Sequence, residues 1–368
     1  MEPIAFSFRP ADSPAALEPV WRDLEARADG GFFLSWDWIG AWLAEIDDEP
    51  VLLEGRSEGR AVALGLACRV AGGPRSGGAL HLHQTGRPDL DSLYLEYNGF
   101  LLDRRFAGAG QGRCAAALLD EGARRGAVAG WDRIVIGAAS QSTAEALAAL
   151  PGILRRTGPA LPASAVDLAA IRAAGGDYPG GLSPNTRYQI RRATRLYAAR
   201  GKLTLEAASD VAAALAWFEG LCGLHQATWT ARGRPGAFGP AFFRRFHRRL
   251  IETGLPRGAV ELLRVAAGDS VVGYLYNFRH RGTVHYYASG FAYEADNKAR
   301  PGLVCHALAI EHHLAGGAAR YDFMAGGGRY KESLGRPAPG IRTVTLQRPG
   351  LRARLGNALY GARQRLRG

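Results

Sequence analysis

The chain has 368 residues, 47% of them hydrophobic, and a formal net charge of +12 with a sequence pI near 9.9. That size suggests about two domains able to bury cores, and the charge favours anionic partners (phosphates, acidic glycans, nucleic acid or a membrane surface) without choosing among them. The four cysteines, Cys68, Cys114, Cys222 and Cys305, form no C-x-x-C pair, which argues against a disulfide framework or a zinc site and for buried thiols. No apolar run is long enough to span a membrane. The opening MEPIAFSFRPADSP carries Glu2 and Asp12 without a basic start and apolar run, so no signal peptide is expected and the cytoplasm is the expected compartment.

In chain order, Ile4–Arg9 reads as a strand and Pro14–Arg27 as a helix. In GFFLSWDWIGAWLAEI, Ser35 can cap a helix whose stripe is Trp38, Ile39, Trp42, Leu43 and Ile46. Its tryptophans fit a helix packed on a sheet better than a ligand cleft. Val51–Glu54, Ala61–Val70 and Ala79–His83 read as strands. His81 and His83 would share one strand face, but no further ligand is suitably spaced, so no metal is expected. Tyr94–Leu102 reads as another strand, Gln111–Gly126 as an alanine-rich helix, Trp131–Ile136 as a strand and Ser142–Leu150 as a helix. The Pro-, Gly- and Ala-rich stretch Pro151–Pro179 is the expected domain boundary.

Ser183-Pro184 opens a helix carrying Arg187, Arg191, Arg192, Arg195 and Arg200, with no acid before Glu206. Arg187, Arg191 and Arg195 recur at four-residue spacing with Tyr188 and Arg192 beside them, a face suited to an anion. Lys202–Ala207 reads as a strand, and Val211–Arg232 and Phe242–Thr253 as helices. Three strands follow, Val260–Ala266, Ser270–Arg279 and Thr283–Phe291, with turns at Gly268-Asp269 and Arg281-Gly282.

Arg300–Gly335 organises the second half. Pro301 suits a first helical turn, and Leu303, Ala307, Ile310 and Leu314 recur at helical spacing. Gly316-Gly317 ends that helix, Arg320–Met324 reads as a strand, and Gly326-Gly327-Gly328 leads to Tyr330-Lys331 and a second helix start. Two helix N-termini with a lysine and arginines nearby suit a phosphorylated ligand. Ile341–Gln347 reads as the last strand. Leu351, Leu355, Leu359 and Leu366 then mark a basic amphipathic tail that would lie on an anionic membrane, dock on an anionic partner, or pack on the protein body.

The element order of the second half, three antiparallel strands followed by helix, strand, helix and strand, is similar to the GNAT N-acyltransferase fold, and the first half repeats it loosely. Phe33–Leu43 (FLSWDWIGAWL), Asn185–Arg192 (NTRYQIRR), His225–Trp229 (HQATW), Pro301-Gly302-Leu303, and Tyr321-Asp322-Phe323 with Tyr330-Lys331 together resemble the BioF-like, cellulose-biosynthesis (CelD-like) acyltransferases related to FemAB-type transferases. Gly327 and Gly328 stand where many relatives carry acids. The resemblance implies an α/β (α+β) tandem GNAT-like fold, two mixed sheets flanked by helices. Its domains would be 1–160 and 161–347, followed by a basic helical tail at 348–368.

It further implies an acyl-CoA-dependent N-acyltransferase (acetyl-CoA or longer) acting on a small-molecule or lipid-linked amino sugar in exopolysaccharide synthesis. Arg300, Gly302, Leu303, Gly326 and Gly327 would then hold the cofactor, and His225, Asp322, Lys331 and Tyr287 would be catalytic. Arg187, Tyr188, Arg191, Arg192, Trp229 and Tyr330 would face the substrate. Two alternatives stand beside this. One is FemAB-like transfer from aminoacyl-tRNA to a cell-wall precursor. The other is a degenerate transferase binding cyclic di-GMP or, through its tail, the inner-membrane surface. No reader motif for sequence-specific DNA is present, and no G-x-S-x-G hydrolase motif.

Overall fold

Alternating apolar residues become strands in the computed structural model, which describes residues 3–72, 77–126, 130–234 and 236–350. Contacts divide the chain into one unit of Met1–Leu161 with Gly340–Gly368 and a second of Pro162–Pro339. The first carries β1 (Ala5–Pro10), β2 (Val51–Ser57), β3 (Arg60–Val70), β4 (Ala79–Leu82), β5 (Leu101–Leu102), β6 (Arg133–Ser140) and β7 (Leu154–Thr157). The second carries β8 (Leu161–Asp167), β9 (Leu203–Ala207), β10 (Val260–Ala267), β11 (Ser270–His280), β12 (Thr283–Phe291) and β13 (Arg320–Ala325). Last comes β14 (Arg336–Gln347).

In the first unit β1, β2, β3 and β4 pair antiparallel in succession and β4 pairs parallel with β6. The stretch Ile341–Gln347, expected in the second domain, pairs with β6, and its end pairs with β7. Val344 and Leu346 thereby enter a core with Leu80, Ile134 and Ile136. A strand's distant partner leaves no local trace, which is why sequence order misplaced it. The expected strand Tyr94–Leu102 is cut to Leu101–Leu102, because Tyr94 and Tyr97 take positive φ (45° and 54°) and break the extended backbone. His83 lies beyond the end of β4 at φ 51°, so it shares no strand face with His81, and its Nδ1 meets Asn98 Oδ1 at 3.0 Å. The tryptophan helix, Trp36–Leu43, is core: Trp38 and Trp42 are buried, as is Trp21, whose indole N–H donates to Leu34 C=O.

The second unit is a mixed sheet in the order β8-β13-β12-β11-β10-β9, with only β12 and β13 parallel. Leu263, Val265, Leu275 and Val284 share a core with the helices Pro184–Ala198 and Pro301–Ala315. The neighbouring Tyr276 points to the opposite face, where it packs on Phe218 and His247 of the helices Val211–Ala231 and Ala241–Gly254. A bulge opposite Tyr276 and Asn277 makes Tyr287 the extra residue of β12.

At Gly290 of β12 the helix Val211–Ala231 approaches so closely that a Cβ would clash with Leu221 C=O and lie 2.9 Å from its Cα. Both obstacles are backbone and cannot rotate away. Gly290→Ala should cost about 1–3 kcal/mol, read from the urea midpoint; an unchanged midpoint would mean that the helix is not seated there.

Candidate active site

Register and side-chain size open a cleft in the second unit. β12 and β13 pair at only Thr283, Val284 and His285, opposite Arg320, Tyr321 and Asp322, and then part company. β13 bends at that point: Met324 adopts φ 61°, and Asp322 Oδ1 accepts its N–H at 2.8 Å. Large rings occupy the fork. His306, on the helix Pro301–Ala315, lies 4.4 Å from Tyr286, 5.2 Å from Phe323 and 5.8 Å from Phe291 between ring centroids, and stacks on Tyr330 at 5.5 Å. Its Nε2 is buried without a hydrogen-bond partner. Burial, and then the Lys331 charge, push its pKa down to about 3, so it is neutral at any working pH.

The helix Pro301–Ala315 begins at the open end of this fork. A Cβ on Gly302 would stand 3.1 Å from the Phe291 ring at the end of β12. Arg300, the N-cap, donates to Gln189 at 2.9 Å, and Tyr197 donates to Ala299 C=O at 3.2 Å, tying this start to the helix Pro184–Ala198. Of the two amides expected to hold an anion, that of Leu303 returns to Arg300 C=O at 3.2 Å. Gly302 therefore presents the forward-facing N–H.

On the other side of β12, His225 Nδ1 lies 3.0 Å from Ser289 C=O. A carbonyl only accepts, so Nδ1 carries the proton and Nε2 is left as a lone pair. That Nε2 is buried and has no hydrogen-bond partner. Burial lowers the His225 pKa from its ordinary value, against the smaller opposing effect of the Ser289 bond. Ser289 also brings its hydroxyl to within 2.6 Å of Tyr286 Oη. A run of hydroxyls thus joins the fork to the residue that His225 holds.

The remaining expected residues are spread over the second unit. Trp229 lies beside His225 at 5.8 Å between rings, and Arg232 and Arg234 cover it. Lys331 Nζ donates to Ala325 and Met324 C=O at 2.8 and 3.3 Å and so fastens the glycine turn. The amide of Gly326 is spent on Pro162 C=O, while Gly327 borders open space. Asp322 faces Arg320 at 3.7 Å and His285 at 4.0 Å.

On the arginine helix, Arg187 bonds Leu182 C=O and Gly180 C=O in the preceding loop. Arg191 is exposed, and Arg192 lies over the exposed Tyr188 ring at 5.5 Å with its Nε enclosed and lacking a hydrogen-bond partner. Tyr287, expected to be catalytic, is turned by the bulge to the opposite face, where it meets His247 Nε2 at 3.1 Å. Tyr286 is the one of the two that faces the fork.

Sequence reading missed Tyr286, Ser289 and His306. Tyr286 and Tyr287 are neighbours, and only the bulge decides which of them faces the fork. A histidine among the apolar positions of the helix Pro301–Ala315 is the signal that could have marked His306.

Residues 184–332 match the family model described as an acetyltransferase (GNAT) domain. Three solved structures resemble the chain in fold. "Crystal structure of FemX" has a TM-score of 0.61 at 11% identity, covering 92% of this chain and 96% of its own. The C-terminal domain of a putative lysylphosphatidylglycerol synthetase from Agrobacterium fabrum gives 0.54 at 14%, covering 94% and 96%. A tandem GNAT protein from the clavulanic acid biosynthesis pathway gives 0.51 at 15%, covering 94% and 99%. Among curated proteins none matches the chain. The fold is tandem GNAT-like, and the second unit carries a GNAT acetyltransferase domain, which makes the chain an N-acyltransferase.

Proposed function

We propose that this N-acyltransferase takes its acyl group from acyl-CoA and delivers it to the amine of an amino sugar, as part of cell-surface glycan synthesis. The observation that carries the donor is the start of the helix Pro301–Ala315. There an unspent Gly302 amide and Arg300 stand at the mouth of the fork between β12 and β13. A pyrophosphate suits that helix start, and the parted strands leave main-chain groups for the arm that follows. The resemblance to the CelD-like group and the +12 charge support the acceptor class.

The thioester supplies an activated acyl carbonyl. His225 Nε2, neutral and lacking a hydrogen-bond partner, receives the proton from the attacking amine as the C–N bond forms. A hydroxyl of the fork, that of Tyr330 or of the Tyr286–Ser289 pair, returns a proton to the departing sulfur as the C–S bond breaks. Tyr330 is 38% exposed, so it can reach a ligand entering the fork. Asp322 and Lys331 act at one remove, through the bend and the glycine turn that shape β13.

Incubation with acyl-CoAs and nucleotide-linked amino sugars should release free CoA in proportion to acylated amine. Absence of release with every amine tried would sink the proposal. A second reading, transfer from aminoacyl-tRNA to a cell-wall precursor, draws support from the fold likeness to FemX and from the basic charge. It requires tRNA binding that weakens steeply with salt. Among the described residues no helix is long and apolar enough to cross a membrane. The basic tail, Leu351–Gly368, proposed to meet an anionic surface or cyclic di-GMP, lies outside the described residues.

A further inference from the structure

The far end of the helix Pro301–Ala315 carries a second cluster that the acyl-transfer reading does not use. His312 and His313 fall in its last turn, and Glu261 projects from β10 toward them. One ligand-type atom from each of the three lies within 4.8 Å of the others, and among the described residues this is the group that meets such a test. His313 is 3% exposed. Its Nε2 stands 3.0 Å from Glu261 Oε2, yet it makes no aligned hydrogen bond. A buried imidazole nitrogen in ion-pair contact with a carboxylate oxygen but off the hydrogen-bond axis is an incomplete arrangement. It becomes complete if both atoms are donors to one ion, since two ligands of a tetrahedral zinc at roughly 2.0–2.1 Å each stand about 3.3 Å apart.

The groups around the carboxylate fit that use. Asn277 Nδ2 donates to Glu261 Oε2 at 3.1 Å, the kind of outer contact that orients a metal-bound carboxylate. Arg279 Nη1, 3.7 Å from Oε1, favours the ionised form that a metal requires. It also offsets the carboxylate charge, which moderates affinity. His312 is exposed, so a fourth position can open to water.

We propose that Glu261, His312 and His313 form a three-ligand site for a divalent transition metal of the zinc class, which fastens the C-terminal end of the helix Pro301–Ala315 to β10. The site is structural: it holds the helix from the end opposite to the one presented to the acyl donor. It stands or falls independently of the reaction assigned above.

The test is titration of the full chain, stripped with chelator, with zinc and with cobalt(II). The wild-type chain should bind one ion, gain visible cobalt d–d bands typical of low coordination, and unfold at a higher temperature with zinc present. His312→Gln alters an exposed side chain and should leave the metal-free unfolding temperature unchanged while weakening binding about tenfold or more. Two results would overturn the proposal. One is no uptake at one equivalent, which leaves Glu261 and His313 as a plain ion pair. The other is uptake that His312→Gln does not alter, which places the metal elsewhere.

Discussion

His225→Ala should lower kcat by roughly 10²–10⁴-fold, the usual contribution of a positioned general base, while leaving the affinity for the acyl donor within about twofold of wild type. The affinity is spared because His225 sits across β12 from the helix start that would hold the donor. A pH profile adds a readout that a structural role would not move. The active form is the neutral imidazole, so kcat/KM falls as pH drops through the His225 pKa. Burial lowers that pKa from the ordinary histidine value, which places this acidic limb below about pH 6.5. In His225→Ala the limb should vanish, with the residual rate following the ionisation of the amine alone. A limb that persists in the variant would assign the base to another group.

Phe323→Ala carries the largest expected effect on stability. The ring is fully buried, 5.2 Å from His306, 5.2 Å from Tyr321 and 6.1 Å from Tyr286 between centroids. Removing it opens a cavity where β12 and β13 part, and neither the bent backbone after Asp322 nor the stacked His306–Tyr330 pair can collapse to fill it. The loss should be about 3–5 kcal/mol, a large share of a typical domain's stability, read from denaturant unfolding. A loss under about 1 kcal/mol would show that the rings at the fork are loosely packed. The variant should also weaken donor binding, because the fork is the slot into which the donor's arm would run.

The parts of this protein that were legible in its sequence are those fixed by short-range chemistry. Pro301 at the first turn, Gly316-Gly317 at the end and the apolar repeat between them define the helix. The Gly268-Asp269 and Arg281-Gly282 turns likewise define the β10, β11 and β12 succession. His225 could be singled out because His225–Trp229 (HQATW) resembles the His-x-x-x-Trp segment of the acyltransferase group.

What stayed hidden depends on contacts distant in sequence or on a single backbone irregularity. Ile341–Gln347 pairs with β6, more than two hundred residues earlier in the chain, and nothing in its own composition says so. One bulge exchanges the roles of Tyr286 and Tyr287. The amides of Leu303 and Gly326 looked available from sequence but are consumed by Arg300 C=O and Pro162 C=O. Lys331, expected to be catalytic, spends its ammonium on the carbonyls that close the glycine turn. The triple glycine is therefore less an anion cradle than a turn held by its own lysine.

The start of the helix Pro301–Ala315 is proposed to hold the pyrophosphate of an acyl-CoA. Calorimetric titration of CoA into the full-length chain, repeated with Arg300→Glu, tests it most directly. The wild-type chain should bind one CoA saturably, and the variant about tenfold or more weakly, since reversing one charge at a helix start both removes an attraction and adds a repulsion. An absence of CoA binding at low salt, or binding that Arg300→Glu leaves unchanged, would contradict it.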